Sequence, residues 1–365
     1  MRFTGSALLI SLAVVFVAYG HGQRPTTPQF TVQKLAKNVY AVIRKEPPSL
    51  WFNPNNGFII GKKSVVVIDT NISSSYTQEV LAALRQITNK PVKYVINTHW
   101  HEDHIIGNRV YRDAFPDVRF IGQRSTLADL PAIGRKNRKG SVENGRGFID
   151  LLKGQIAKGK DLAGQDLTDE ERAGYGSDID LVGSYLAEAP RFQIILPTVL
   201  VDDKLDLDQD GRKIEIRYFG RAHTGADLAV YLPKENIVFS GDLVVWPVPL
   251  VGSTSYPLDY AETLEKFRAL NAATIVPGHG PVMHHHLYVD LMIKLLNAIK
   301  TQAEKAFAEG ATLEQFRKNI DLNEYRDAFC GDSQHKRFIF QNYVLLPATA
   351  AAYSQLQAKM PDGSR

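Results

Sequence analysis

The chain has 365 residues, of which 44% are hydrophobic and 22% are charged, a composition typical of a globular protein. The length fits one large α/β domain with additions. The formal net charge is only +4, and the densest basic stretch, GRKNRKG (134–140), has no interleaved aromatic residues, which argues against nucleic-acid binding.

Residues 1–22 predict an export signal. Arg2 gives the segment a positive start, and ALLISLAVVFVA (7–18) is apolar but shorter than a membrane-spanning helix. Small residues at Ala18 and Gly20 favour cleavage after Gly20 or Gly22. We therefore expect a periplasmic or secreted protein with no stable membrane insertion after cleavage, and an uncleaved N-terminal anchor is the alternative. Cys330 is the only cysteine, so an internal disulfide is excluded.

Four short apolar runs predict strands that are buried on both faces. Each run ends at a candidate site residue: SVVVID (64–69), YVINTH (94–99), IVFSGD (237–242) and TIVPGH (274–279). Open α/β sheets place their functional residues at strand ends, so the four runs indicate one shared site. Further strands are predicted at VYAVI (39–43), GFIIG (57–61) and DLAVYL (227–232).

Helices are predicted between and after these strands. The first, SSSYTQEVLAALRQI (73–87), has Ser75 and Gln78 in a capping pattern, and DYAETLEKFRAL (259–270) has Asp259 and Glu262 in the same pattern. Residues 123–190 are polar and helix-prone, which predicts a helical insertion between two halves of a sheet. The amphipathic stretch 287–310 opens a helical C-terminal extension. The predicted organisation is a signal peptide (1–22), a catalytic domain (23–285) and the extension (286–365).

Two segments resemble metal sites but favour other interpretations. DLDQDG (206–211) begins like a calcium loop, yet the twelfth position is Arg217 where such a loop needs glutamate. We therefore predict a hairpin turn there. HHH (284–286) is predicted to open a helix, where consecutive side chains point in different directions.

The segment NTHWHEDH (97–104) carries the strongest chemical signal in the chain. His99 and His101 alternate along the backbone and can face one side, while Asp103 and His104 can face a second position. This spacing favours two neighbouring metal ions over one. Nearby cysteines, typical of structural zinc sites, are lacking, so a catalytic site is indicated. Distant residues on turns or strand ends can complete it: His223, Asp242 and His279.

The chain resembles the metallo-β-lactamase-fold hydrolase superfamily across roughly residues 30–285. The motifs VVVIDT, THWHEDH, GRAHTGAD, FSGD and PGHGP occur in the family's order. The resemblance implies an α/β fold, a four-layer αββα sandwich, with two Zn²⁺ ions at one edge of the sheets. It implies that one ion is bound by His99, His101 and His223, and the other by Asp103, His104 and His279. Asp242 would bridge the two ions, and Asp69 would hold the ligand loops in place.

The mechanism that the resemblance implies is hydrolysis. Two zinc ions about 3.5–4 Å apart lower the pKa of a bridging water to near 7, which makes hydroxide at neutral pH. Asp103 is the candidate catalytic residue that orients this hydroxide and shuttles its proton. The expected substrate is a small molecule with an ester, thioester, lactone or amide bond.

The position of Asp242 bears on the branch of the superfamily. Zinc β-lactamases of the cysteine-ligand type carry cysteine there and a lysine three residues later, where this chain has Val245. We therefore expect weak or promiscuous β-lactamase activity at most. Aspartate resembles the glyoxalase II-type arrangement, although no glutathione-binding pattern is recognisable. An iron-dependent oxidoreductase of the persulfide-oxidising type is the alternative from another class, since iron fits the same ligands.

The substrate pocket is predicted from aromatic residues near the motifs. Trp51 and Phe52, in PPSLWFNPNNG (47–57), are candidate apolar walls, and Trp246 and Tyr256 are candidates on the other side. Tyr256 has a hydroxyl that can donate to an oxyanion. Ordinary packing is the alternative for all four. The insertion 123–190 is either a lid or a surface elaboration.

Overall fold

The computed structural model describes residues 29–359, which form two β-sheets packed face to face with helices on both outer faces. The predicted signal peptide lies outside the described residues and stays a prediction. Within residues 29–359, every helix is too short or too polar to span a lipid bilayer.

The first sheet contains seven strands in chain order. Strands β1 to β4 are antiparallel neighbours, and β4 to β7 are parallel. Their bounds are β1 Phe30–Ala36, β2 Val39–Arg44, β3 Asn56–Ile60, β4 Val65–Ile68, β5 Val92–Ile96, β6 Arg119–Gln123 and β7 Val199–Val201.

The second sheet contains five strands in the order β12-β11-β10-β9-β8. Only β11 and β12 are parallel. The bounds are β8 Lys204–Gln209, β9 Arg212–Tyr218, β10 Leu228–Leu232, β11 Ile237–Val245 and β12 Thr274–His279. The turn between β8 and β9 contains Asp210 and Gly211, both at positive φ, so the prediction of a hairpin at 206–211 is confirmed.

Twelve α-helices complete the described part of the chain. The bounds are α1 Ser74–Ile87, α2 Glu102–Ile105, α3 Asn108–Ala114, α4 Thr126–Asp129, α5 Arg135–Lys158, α6 Asp169–Glu188, α7 Pro257–Arg268, α8 Leu287–Ala308, α9 Leu313–Asn319, α10 Asn323–Cys330, α11 Gln334–Phe340 and α12 Leu346–Ala358. Helices α4, α5 and α6 follow β6 and precede β7, which are paired neighbours in the first sheet. The predicted helical insertion therefore leaves the sheet and returns to it at the next strand.

Alternation along the strands produces the four layers. In β4, Val66 and Ile68 pack in the core between the sheets, whereas Val65 and Val67 pack outward against helices α1 and α3. A strand buried on both faces needs a continuous apolar run, which is what the sequence supplies. The outer face of the second sheet is covered by α7, α8 and helices of the C-terminal region, and this completes the αββα order.

The helix starts differ from those predicted. Helix α1 is capped by Ser73, whose side chain accepts a hydrogen bond from Tyr76 N, so the prediction of Ser75 was wrong. Helix α7 begins at Pro257; Tyr256 before it makes no side-chain cap hydrogen bond, and Leu258 N donates to Gln355 Oε1 at 3.1 Å. Asp259 lies within the first turn and pairs with Arg221 at 2.5 Å, so the prediction of Asp259 as the cap was wrong. The three histidines at 284–286 precede α8 and do not lie within it.

Candidate metal centre

One edge of the two sheets collects the predicted ligands because several strands end there. Asp69 directly follows β4, the segment 99–104 follows β5, and His279 is the last residue of β12. His223 comes from the turn before β10. Asp242 was expected at a strand end, but β11 continues to Val245. The pairing of β11 with β12 is irregular at Gly241, whose φ is +51°, and this turns Asp242 toward the other ligands.

The structure brings all seven predicted ligands together in two groups. Ligand atoms within each group lie within 4.8 Å of one another; the groups are His99, His101, His223 and Asp242, and Asp103, His104 and His279. The Asp242 carboxylate lies between them. Its Oδ2 is 3.5 Å from Nε2 of His223, and its Oδ1 is 3.3 Å from Nε2 of both His104 and His279. This is the placement that a bridging role requires.

Hydrogen bonds to the backbone orient two of the imidazole rings. Nδ1 of His223 donates to the carbonyl oxygen of Leu250 at 2.9 Å, and Nδ1 of His279 donates to the carbonyl oxygen of Asn53 at 3.1 Å. In the neutral form of each ring the proton is then on Nδ1, and Nε2 carries the free lone pair. Both lone pairs face the Asp242 carboxylate, where a cation would bind.

Asp69 orients a third ring. Its Oδ2 accepts hydrogen bonds from His104 Nδ1 at 2.9 Å and from Thr98 Oγ1 at 2.8 Å, and its Oδ1 accepts one from Thr98 N at 2.7 Å. Asp69 is buried and adopts a φ of +55°. A carboxylate that holds a ligating imidazole in this way fixes its tautomer and makes the nitrogen on the other side a better ligand.

The His101 ring faces the other ligands with Nδ1, whereas the rings described above face them with Nε2. Its Nε2 is 3.0 Å from Oγ1 of Thr254, and its Nδ1 is 2.9 Å from Nε2 of His223. Donation by His101 Nε2 to Thr254 leaves Nδ1 as the free nitrogen. Two unprotonated nitrogens then face each other, an arrangement that a shared cation would stabilise.

Buried polar atoms without hydrogen-bond partners test whether the site fits a metal. Five such atoms converge here: His99 Nε2, His104 Nε2, His279 Nε2, Asp103 Oδ2 and Asp242 Oδ1. Four of them, from His104, His279, Asp103 and Asp242, lie 3.2–3.3 Å apart as imidazole–carboxylate pairs without a hydrogen bond. Because an unsatisfied buried polar atom costs about 1–3 kcal/mol, a cation shared by these atoms would stabilise them together. Imidazole nitrogens and carboxylate oxygens are ligands that divalent metal ions take in proteins. The residues present therefore fit a metal centre.

Burial keeps the first group of rings neutral. It lowers the pKa of His99 well below the usual range, that of His101 to about 3, and that of His223 below its ordinary value. Neutral imidazoles are the form that binds metal.

In the second group, nearby carboxylates raise the pKa values of the two histidines. Burial lowers the pKa of His104, but the carboxylates of Asp103, Asp242 and Asp69 outweigh it and hold the pKa well above the usual range. Burial likewise lowers the pKa of His279, and Asp242 and Asp103 raise it overall to about 9. A cation bound between these carboxylates would take the place of the protons, so metal binding would release protons and weaken at low pH.

The four aromatic residues that were predicted to line the substrate pocket have different neighbours in the structure. The Phe52 ring is 3.9 Å from the His279 ring, and Trp246, which is 38% exposed, donates its backbone N–H to the His279 carbonyl oxygen. Trp51 packs edge-on against Tyr185 of α6, and Tyr256 lies under the Arg221 guanidinium. The structure thus brings Phe52 and Trp246 to a candidate ligand.

Three asparagines that the sequence analysis left unassigned position the ligand loops. The Asn53 carbonyl holds His279, as described above. The side-chain amide of Asn55 donates to the carbonyl oxygens of Pro277 and Gly280, on either side of His279. The Asn56 amide donates to the Asp69 carbonyl oxygen at 3.0 Å. The only signal for these roles in the sequence is the density of asparagine in 53–56, because their partners lie far along the chain.

Comparison with known proteins decides the family. The model of the metallo-beta-lactamase superfamily matches residues 50–279, more than half of the chain. The chain belongs to this superfamily. The family predicted from the five motifs is therefore confirmed, together with the αββα fold.

Individual relatives are distant. The linear primary-alkylsulfatase of Pseudomonas sp. is 24% identical over 304 residues, which cover 77% of this chain and 54% of the alkylsulfatase. The type 2 metallo-beta-lactamase of Bacteroides fragilis is 21% identical over 284 residues, 75% of this chain and 88% of the lactamase. The solved structure of a sec-alkylsulfatase of Pseudomonas sp. matches with a TM-score of 0.62 at 15% identity, over 92% of this chain and 51% of that one. The chain thus spans about half the length of the alkylsulfatases it matches.

Proposed function

We propose that this protein is a zinc-dependent hydrolase that cleaves a small ester, thioester, lactone or amide. The observation that carries the proposal is the convergence of five unpartnered buried ligand atoms around the Asp242 carboxylate. Superfamily membership supports the reaction type, and the relatives include a β-lactamase and an alkylsulfatase.

The ligand sets follow from the two groups. His99, His101 and His223 would hold one ion, Asp103, His104 and His279 the other, and Asp242 would contact both. When bound there, two zinc ions supply Lewis acidity and bring the pKa of a water down to near neutrality. Zinc is proposed over iron because the relatives include an alkylsulfatase and a β-lactamase, whose names indicate hydrolysis, and three imidazoles are a ligand set of catalytic zinc sites.

Asp103 is the proposed catalytic residue among the ligands. Its side chain is 15% exposed, whereas that of Asp242 is 2% exposed, so Asp103 is the more accessible carboxylate to a substrate and water. The neighbouring His104 and His279 overcome the effect of burial and hold the pKa of Asp103 well below its usual range. The carboxylate is therefore ionised at neutral pH and can accept a hydrogen bond that orients an attacking water. Its role in taking up the proton of that water is proposed from its position and accessibility.

A hydrolysis panel with the metal-depleted and zinc-restored protein tests the proposal. The panel covers ester, thioester, lactone, amide, β-lactam and phosphodiester substrates, with alkyl sulfates added because an alkylsulfatase is among the relatives. We expect turnover on one bond class, lost on chelation and restored by zinc. Turnover restored only by iron, or none after zinc is restored, would contradict the proposal and favour the oxidative alternative.

Replacement of Asp103 by asparagine tests the role of the carboxylate. We expect kcat to fall by at least about a hundredfold, because a positioned proton acceptor contributes about 10²–10⁴-fold. Asp161→Asn is the matched control, since Asp161 is also a buried carboxylate and accepts hydrogen bonds from Ala163 N and Gln165 N in the insertion. Full activity in the Asp103→Asn protein would show that another group activates the water.

A further inference from the structure

Glu102 lies between two predicted ligands and contacts the helical insertion. It is the first residue of α2, directly between His101 and Asp103. Tyr185 of α6 donates its hydroxyl to Glu102 Oε2 at 2.6 Å, and Nε of Arg138, in α5, donates to Oε1. The Glu102 side chain is 15% exposed, and Tyr185 is fully buried.

We propose that Glu102 is a positioning residue through which the helical insertion holds the segment 99–104 in place. Arg138 and Tyr185 of the insertion would then set the distance between the two groups of metal ligands. The proposal rests on the proposed function. His101 belongs to the first group and Asp103 to the second. A shift of the backbone at Glu102 therefore moves a ligand of each group and changes the distance between them.

The chemistry of the contact favours a fixed orientation. A carboxylate with a charged donor on one oxygen and a hydroxyl donor on the other is held in a single rotamer by two charge-assisted hydrogen bonds. Arg138 also balances the charge of Glu102, which is mostly removed from water. Loss of either donor leaves a partly buried carboxylate that gains by turning toward solvent, and this would pull on α2.

The insertion is itself fastened to the rest of the site, which makes it a firm support. Asp178 of α6 accepts hydrogen bonds from the backbone N–H groups of Trp51, at 2.6 Å, and Leu50, at 3.3 Å. Trp51 packs edge-on against Tyr185 with ring centroids 5.3 Å apart. Glu188, at the end of α6, accepts a hydrogen bond from Ser74 N at 2.7 Å. These contacts favour a fixed wall over a lid that opens with each turnover.

Zinc affinity is the most direct test, because it does not depend on knowing the substrate. The full-length protein and its variants are titrated with zinc in competition with a chromophoric chelator, and kcat, KM and the thermal midpoint are measured in parallel. We expect Tyr185→Phe to weaken zinc binding about tenfold, the lower end of the effect of losing a ligand's own partner, because Glu102 acts on His101 and Asp103 through the backbone. We also expect kcat to fall with little change in KM.

Tyr175→Phe is the matched control. Tyr175 is a second buried tyrosine of α6, but its hydroxyl accepts a hydrogen bond from Leu162 N inside the insertion. We expect this variant to bind zinc like the unmodified protein. Equal losses of affinity in both tyrosine variants would overturn the proposal, since they would show a general effect on the helix.

Arg138 provides a test that does not require a change in the core. Its side chain is 23% exposed. We expect Arg138→Met to weaken zinc binding about tenfold and Arg138→Lys to restore much of it by retaining the charge. Unchanged zinc affinity in folded Tyr185→Phe and Arg138→Met proteins, with two ions and turnover in the unmodified protein, would overturn this inference alone. An unmodified protein that binds no zinc would overturn the proposed function as well.

Discussion

In four of the five ligand histidines, a hydrogen bond to one ring nitrogen decides that the other nitrogen is free to bind a metal. For His104 the decision is made by Asp69, for His223 and His279 by backbone carbonyls, and for His101 by Thr254. None of these partners adjoins its histidine in sequence. The geometry of single hydrogen bonds therefore determines whether the predicted ligand set can act together.

Asp69→Asn should selectively weaken the second metal group. Asparagine tolerates the positive φ of Asp69, so the backbone should be retained. If the asparagine amide donates to His104 Nδ1, the ring proton moves to Nε2. Nε2 then has no lone pair with which to bind a metal. We expect one of two zinc ions to bind about 10–100-fold more weakly in a chelator competition.

The control for Asp69→Asn is again Asp161→Asn, which removes a buried carboxylate charge away from the ligands. It should retain the affinity for both ions. Equal zinc binding in the Asp69→Asn variant and the unmodified protein would show that Asp69 does not orient His104.

Asp178 should make stability depend on pH. Burial raises its pKa to about 7, although the N–H groups of Trp51 and Leu50 favour the ionised form. As pH rises from about 4 to about 7, the unfolded chain releases this proton before the folded protein does, so the unfolding free energy falls by about 1.4 kcal/mol per pH unit. Below about pH 4 the carboxyl is protonated in both the folded and the unfolded state. Above about pH 7 it is ionised in both, so Asp178 causes no further change in the unfolding free energy.

Asp178→Asn removes this dependence. In urea unfolding at pH 5 and pH 7 with the same zinc concentration, we expect the variant to gain stability relative to the unmodified protein as pH rises. Other titrating groups cancel in that difference, provided that they do not couple with Asp178. A difference that stays constant between the two pH values would contradict the assignment.

Among the secondary-structure elements, β11 contacts the segment 97–104 at Gly241. A Cβ placed there would lie 2.5 Å from Cβ of Thr98, the residue that donates to Asp69, and the φ of +51° disfavours other residues. The irregular pairing that turns Asp242 toward the ligands depends on this close approach.

Gly241→Ala should therefore affect both stability and metal binding. We expect the unfolding free energy to fall by about 2 kcal/mol or more and zinc affinity to drop, measured by urea unfolding and chelator competition. Gly310→Ala is the control, since Gly310 has a φ of +73° with open space around it; it should cost about 1 kcal/mol and leave zinc affinity intact. Equal effects of the two changes would show that the contact with Thr98 is unimportant.

The elements that the sequence predicted well are those whose signal is local. The run SVVVID predicts β4 because both strand faces are buried, and the amphipathic stretch 287–310 predicts α8. Helix starts were less predictable, because Ser73 and Ser75 carry the same capping chemistry and only the chain path selects Ser73. The continuation of β11 beyond Asp242 was missed because Gly241 and Asp242 interrupt the apolar run, and only the chain path shows that pairing with β12 resumes at Val245.

At the scale of the whole molecule, segments far apart in the chain enclose the loop at residues 47–57. The insertion contacts it through Asp178, and the C-terminal region contacts it through Tyr343, whose hydroxyl donates to the Ser49 carbonyl oxygen, and His335, which donates to that of Pro48. The motifs predicted which residues gather at the sheet edge. They did not predict this enclosure, since each contact joins side chains and backbone more than a hundred residues apart.

The metal content of the purified protein is the first measurement that we would make on the proposed dinuclear zinc centre. Elemental mass spectrometry on the unmodified protein and on Asp242→Ala would give the number and identity of bound ions per chain. We predict about two zinc ions per unmodified chain and a clear loss of bound zinc when the carboxylate between the two groups is removed. A single iron per chain, or no metal after incubation with zinc, would contradict the proposed dinuclear zinc centre.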